Sequence, residues 1–416
     1  MQACGLDFGT SNSAIGVIRD GTPTLVPADD GDTLFPSAVF FDTETPGRVL
    51  YGDPAVAAAI GQVEGRLMRS LKSILGSSLI EETTLIGKNR VPLSRVVELF
   101  VGHLKRRAEA FTGSELTRVV HGRPVRFVDG DPAADARAED TLRAIAHRVG
   151  FTDVRFVYEP IAAAAHYERT VRSEELVLVA DIGGGTTDIA LIRVGPGRTA
   201  LADRKDDILA SNGGRVGGTD FDAQLSLAAV MPLLGLGTTL VEKALPMPSR
   251  LYHELATWAS INFVYTRANA AEARELQRGA SEPAKLARLV KTIAERHGHR
   301  IAFAVEAGKI DLGEAENAEI ALGFLEDALA AATTRPGFEA AIAERTRRIS
   351  DLVTACLSDA GVSDVGTVFL TGGSCRVPAV REAVRRVLPS ARIAGDNDLL
   401  SVALGLTEAA RRPGKA

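Results

Sequence analysis

One pattern, present twice, constrains this 416-residue chain more than any other feature. Asp7-Phe8-Gly9-Thr10-Ser11-Asn12-Ser13-Ala14-Ile15-Gly16-Val17-Ile18 and Asp181-Ile182-Gly183-Gly184-Gly185-Thr186-Thr187-Asp188-Ile189-Ala190-Leu191-Ile192 share one design. An apolar strand ends on Asp, a turn of Gly, Ser and Thr follows, and a second apolar strand leaves. The copies start at positions 7 and 181, hence 174 residues apart. That predicts one hairpin per lobe, with two lobes facing each other across a cleft. A chain of this length also exceeds one usual core.

The rest of the chain reads as alternating strands and helices. Residues 37–117 mix short strands with helical stretches such as Arg95–Arg107, and Arg118–Phe127 is strand-like although Gly122 and Pro124 interrupt it. Helices are predicted over Ala136–Val149, Pro160–Arg169, Phe338–Ala360, Val377–Val387 and Leu399–Ala410, and strands over Val154–Val157 and Val368–Thr371. Such alternation predicts an α/β fold with helices packed on sheets. Residues 224–312 read as largely helical, broken at Leu245-Pro246-Met247-Pro248 because proline lacks the helical donor. Within them, Leu245–Thr266 reads as helix core or as a contact surface. The tail Arg411–Lys415 reads as frayed.

Composition narrows the function classes. A net charge of −5 argues against a broad nucleic-acid or acidic-membrane surface. No apolar run approaches the roughly 20 residues of a spanning helix. Met1–Asp7 lacks a basic region followed by an apolar stretch, so no signal peptide is expected. Cys4, Cys356 and Cys375 lie far apart and read as reduced thiols of a cytoplasmic protein.

The twin turns suggest a chemistry. Glycine lets backbone N–H groups approach an anion closely, and the hydroxyls of Thr10, Ser11, Thr186 and Thr187 can donate to phosphate oxygens. Asp7, Asp181 and Asp188 sit at or beside these turns, where bare carboxylates would repel a polyphosphate. Mg²⁺ held through water resolves that conflict. The bland alternatives are tight hairpin turns and Asp caps. No P-loop motif occurs. Gly235-Leu236-Gly237 reads as a loop, the seven histidines form no ligand cluster, and His297-Gly298-His299 reads as an exposed loop.

Further segments join these turns in a recognisable order. Cys4–Ser13 resembles the first phosphate motif of the 70-kilodalton heat-shock chaperone family, and Ala180–Asp188 resembles its second. Leu370–Pro378 is similar to that family's adenosine motif, Tyr158–Ala164 to its first connecting motif, and Gly213–Asp222 to its glycine turn entering the second lobe's helices. The resemblance implies the actin-like ATPase fold, in which two lobes with ribonuclease-H-like cores flank a nucleotide cleft. The lobes fall at 1–175, with a subdomain inserted at 37–117, and 176–416, with a helical subdomain at 224–325.

The resemblance also implies site roles. Gly9, Thr10, Ser11 and Asn12 would hold the phosphates of ATP or ADP from one lobe, and Gly183, Gly184, Gly185 and Thr186 from the other. Asp7 and Asp181 would bind the water shell of Mg²⁺, while Glu159 and Asp188 fix the metal and the attacking water. Lys72 matches the lysine that reaches the terminal phosphate, or else is an exposed helix lysine. Gly217, Gly218, Gly372, Gly373 and Ser374 would cradle the nucleotide, with Arg376 on the base. Glu306 and Lys309 would contact ribose and base, or else form a surface pair. Ile310 stands where the family has an adenine-stacking arginine.

Slow Mg²⁺-dependent ATP hydrolysis by a monomeric, chaperone-like switch follows, with a client or co-chaperone as partner. The family's peptide-gripping β-sandwich is not expected, since the sequence ends at Ala416. A sugar-type kinase or a filament-forming actin relative are the alternatives.

Overall fold

The computed structural model describes residues 2–28, 31–45, 47–128, 130–201, 203–242, 245–394 and 400–411, with the side chains of His166 and Ala200 left aside. The tail beyond Arg411 and the expected helix start at Leu399 lie outside these residues. Packing divides the chain into two compact units. The first comprises 1–215, 351–375 and 385–416, and the second comprises 216–350 and 376–384.

The first unit contains two sheets with the same strand order. In one, Thr22–Leu25, Asn12–Arg19 and Gln2–Asp7 form an antiparallel meander, and Leu116–Arg123 and Asp153–Tyr158 extend it in parallel. In the other, Ile208–Gly214, Thr187–Val194 and Glu175–Ile182 form the meander, and Thr367–Thr371 and Arg392–Ala394 extend it in parallel. The repeated hairpin is thus the visible part of a repeated five-strand topology. The inner strands are nearly continuous apolar runs, as sheets covered on both faces require. Leu178, Val179 and Ala180 are fully buried, as are Ile15 and Cys4.

Helices close the sheets at short range. The helix Ser401–Ala410 packs on Gln2–Asp7 and on the helix Glu159–Glu168. Glycine makes this approach possible: a Cβ on Gly5 would lie 2.2 Å from the Thr407 backbone nitrogen, and one on Gly405 would lie 2.0 Å from the Ala162 carbonyl oxygen. The predicted strand Arg118–Phe127 ends at Arg123, because Pro124 has no N–H to continue the ladder. Cys4, Cys356 and Cys375 are all buried.

The second unit is mainly helical. The helices Arg250–Ala256, Arg267–Gly279, Pro283–Ala294 and Gly298–Glu314 surround buried Tyr252, Leu286 and Leu289, beside a hairpin of Asn317–Ala321 and Ala330–Thr334. Within Leu245–Thr266 the side chains of Met247, Leu251, Leu255, Ile261 and Val264 are buried while Leu245 and Phe263 are exposed, so this run is part core and part surface.

Two expectations need correction. The His297-Gly298-His299 segment is not an exposed loop. His297 is buried with Nε2 2.9 Å from Glu295 Oε2, and Gly298 opens a helix by donating its N–H to the Tyr265 hydroxyl at 2.9 Å. Nor is Phe338–Ala360 one helix. Two helices, Arg335–Ala341 and Ala343–Asp359, meet at Ile342, whose side chain is fully buried while its backbone takes φ −97° and ψ 4°. No helix among the described residues is long and apolar enough to cross a membrane.

Candidate nucleotide site

Both hairpin turns line one cavity of about 530 Å³ inside the first unit. The first turn follows Asp7, which pairs with Ala14, and the second joins Asp181 to Asp188, which face each other across the strands. The turns approach so closely that a Cβ on Gly184 would lie 1.8 Å from Ser11 Oγ, and one on Gly185 would lie 3.6 Å from Thr10 Cγ2. Here glycine is a requirement of space.

Hydroxyls fix the turns from behind. Ser13 Oγ accepts from the Gly9 N–H at 3.2 Å and lies 2.8 Å from Ser37 Oγ, while Ser37 Oγ donates to the Gly9 carbonyl at 2.8 Å. Ser374 Oγ donates to the Gly183 carbonyl at 2.8 Å. Gly372 follows the strand Thr367–Thr371 at φ +88°, and a Cβ there would lie 2.4 Å from the Ile182 carbonyl oxygen and 2.6 Å from Asp181 Oδ1. The adenosine-like motif therefore braces the second turn.

The acidic end of the cavity has one lysine. Lys72 sits in the short helical turn Leu71–Ile74 and donates from Nζ to Glu159 Oε1 at 2.7 Å, both side chains being largely buried. It is not an exposed lysine. Gly122 makes room for this pair, since its Cβ would lie 3.3 Å from Glu159 Cγ. Burial favours the neutral amine of Lys72, but the carboxylates of Glu159, Asp7 and Asp188 outweigh it and raise its pKa.

The aspartates respond in the opposite sense. Burial, followed by repulsion from Glu159, pushes Asp7 up to about 8, with Lys72 pulling the other way. The same causes push Asp181 up to about 6. At neutral pH the Asp7 carboxyl thus holds a proton that an arriving cation would displace. Among the described residues no three acidic, histidine or cysteine side chains are grouped as direct ligands. The donor set of Asp7, Asp181, Asp188 and Glu159 around one lysine fits a divalent ion bound through its water shell.

Of the residues expected at the site, Asp7, Gly9, Thr10, Ser11, Asn12, Lys72, Glu159, Asp181, Gly183, Gly184, Thr186, Asp188, Gly372 and Gly373 line this cavity. Gly185 and Ser374 lie immediately beside it in the same turns. Gly217, Gly218, Glu306, Lys309 and Arg376 belong to the second unit. There Lys309 Nζ pairs with Asp222 Oδ1 at 2.8 Å, and Asp220 Oδ2 accepts from the Gly217 N–H at 3.0 Å. Ile310 is exposed.

Sequence reasoning missed Arg123. Its guanidinium bonds Asp135 at 2.8 Å and Glu139, donates to the Pro124 and Val125 carbonyls, and lies 5.2 Å from the centres of the Phe127 and Tyr158 rings. It anchors the segment that forms one cavity wall, including Arg126 and Phe127. Interruption of the strand by Pro124 was the signal that this segment turns away from the sheet.

Twin sheets of identical order, each offering a glycine turn and an aspartate to one acid-rich cavity, define the class as the two-lobed actin-like ATPase fold. The model of the Hsp70 protein family matches residues 3–230 and 289–407, and the chain belongs to that family. It carries a chaperone-type ATP-binding domain.

Proposed function

We propose that the cavity binds ATP with magnesium and hydrolyses it slowly, and that the nucleotide state switches the conformation of the chain. The observation that carries this reading is the meeting of Gly184 and Ser11 in the same cavity as the Lys72–Glu159 pair. Turns rich in backbone amides and hydroxyls thus border one space, as a polyphosphate site requires.

On this reading the turn residues at 9–12 and 183–186 hold the phosphates, and Gly372, Gly373 and Ser374 support the adenosine. A magnesium ion held through water by Asp7 and Asp181 would supply charge neutralisation and polarise the phosphate oxygens. Glu159 and Asp188 accept hydrogen bonds from the attacking water and orient it. The water oxygen bonds to the terminal phosphorus, the bond from that phosphorus to the bridging oxygen breaks, the water's proton passes by way of Asp188 to the phosphate or to solvent, and ADP and phosphate result. Lys72 neutralises charge on the transferred group, so catalysis rests on position and electrostatics.

Functionally the chain divides near residue 175 into lobes 1–175 and 176–416, and closure of these around ATP alters a surface read by a protein client or co-chaperone. The test is steady-state turnover. Asp188→Asn and Lys72→Ala should each lower it by about a hundredfold or more while ATP binding persists. Turnover at the wild-type rate in both variants would refute the assignment.

A further inference from the structure

A second cavity, of about 590 Å³, lies against the first. Arg126, Val128 and Asp131 line both. A gap of about 20 Å³, lined among others by Arg126, Glu159, Asp181, Asp188 and Ser211, lies beside the shared wall. That gap has room for about one water molecule.

The polar groups of the second cavity are unequally committed. Its cations are Arg123, Arg126 and Lys205, and its carboxylates are Asp131 and Asp135. Both carboxylates are engaged: Asp131 Oδ1 caps the helix Pro132–Arg148 by accepting from the Ala134 N–H at 2.9 Å, and Asp135 accepts from Arg123 and from the Phe127 N–H. Arg123 is spent on that same network. Among the described residues, no ion pair or side-chain hydrogen bond occupies Arg126, Lys205, the Tyr158 hydroxyl or the Ser211 hydroxyl. Two residues with uncommitted cations and two with uncommitted hydroxyls thus line one space. A tetrahedral oxyanion matches such a donor set, because it offers acceptors on every side and its charge is met by guanidinium and ammonium. An apolar or cationic occupant would leave all four groups unanswered.

We propose that this second cavity is a binding site for inorganic phosphate, held by Arg126, Lys205, Tyr158 and Ser211. Phosphate can reach it from solution or from the adjoining cavity, where, on the hydrolytic reading given above, it is the product. Arg126 belongs to both walls, so occupancy of the second site is coupled to the electrostatics of the first.

Calorimetric titration of the nucleotide-free full chain with inorganic phosphate tests this without requiring any turnover. Lys205 lines the second cavity and not the first. Lys205→Ala should weaken phosphate binding by about tenfold, Lys205→Arg should retain it, and Lys72→Ala should leave it intact. Loss of binding in Lys72→Ala with retention in Lys205→Ala would place the anion in the first cavity and overturn the proposal. So would absence of phosphate binding by the wild-type chain at tens of millimolar, about the weakest affinity such contacts can give. The source follows from a single turnover of ATP. Slower phosphate release in Lys205→Ala at unchanged cleavage identifies the product as occupant, and unchanged release identifies phosphate from solution. A chain that binds phosphate as described but cleaves no ATP would retain this site and lose the hydrolytic reading.

Discussion

Asp7 and Asp181 are buried carboxyls beside Glu159, and holding them there costs stability. With nothing bound, burial and the neighbouring Glu159 hold Asp7 at about 8 and Asp181 at about 6. The ordinary range of an unfolded aspartate lies near 4. Between that range and those raised values the folded chain binds more protons than the unfolded one, so stability falls as pH rises. Metal-free, nucleotide-free protein should therefore lose melting temperature from pH 5 to pH 8, and Asp7→Asn should flatten the slope and stabilise the protein at pH 8. A wild-type profile that rises over this window would contradict the assigned burial of these carboxyls. Gly372 bears a different constraint. Its φ of +88° and the 2.4 Å approach of a Cβ to the Ile182 carbonyl leave no room for a side chain. Gly372→Ala should cost about 1–3 kcal/mol by denaturant unfolding and weaken adenine nucleotide binding. An unchanged midpoint would show that the bracing contact is dispensable.

The two hairpins were legible because their signal is dense. Apolar runs, Asp and small turn residues coincide within a dozen positions, and the structure places strands at Gln2–Asp7, Asn12–Arg19, Glu175–Ile182 and Thr187–Val194. What a hairpin sequence does not carry is the partner of each edge, so the matching five-strand order appeared only in three dimensions. Arg123 was missed because its partners Asp135 and Glu139 lie a helix away, and a buried guanidinium looks like any surface arginine in one dimension. The break at Ile342 and the burial of His297 are likewise tertiary effects, which override local propensity. The helix Ser401–Ala410 shows how such packing is tested. Gly5→Ala puts a Cβ 2.2 Å from the Thr407 backbone nitrogen and should destabilise by at least about 1–3 kcal/mol. Gly366→Ala, with nothing within 4 Å, should stay within about 0.5 kcal/mol of wild type. Equal effects of the two would mean that the helix does not seat on Gly5.

At the scale of the molecule, a repeated topology brings two glycine turns and their aspartates to one cavity, in a chain that belongs to the Hsp70 family. The stretch 231–288 falls outside the family match and folds as helices with Tyr252 and Leu286 in their own core. It is therefore an elaboration of the second unit. If the chain switches with nucleotide, limited proteolysis should give different fragment patterns with ATP and with ADP, and identical patterns would remove the switch while leaving binding untouched. The central claim is simpler than the switch. Calorimetric titration of the purified chain with ATP, with and without magnesium, measures it directly. One site per chain is expected, tighter with magnesium, and at pH 7 binding should release about one proton as Asp7 ionises. No heat of binding under either condition would contradict the account.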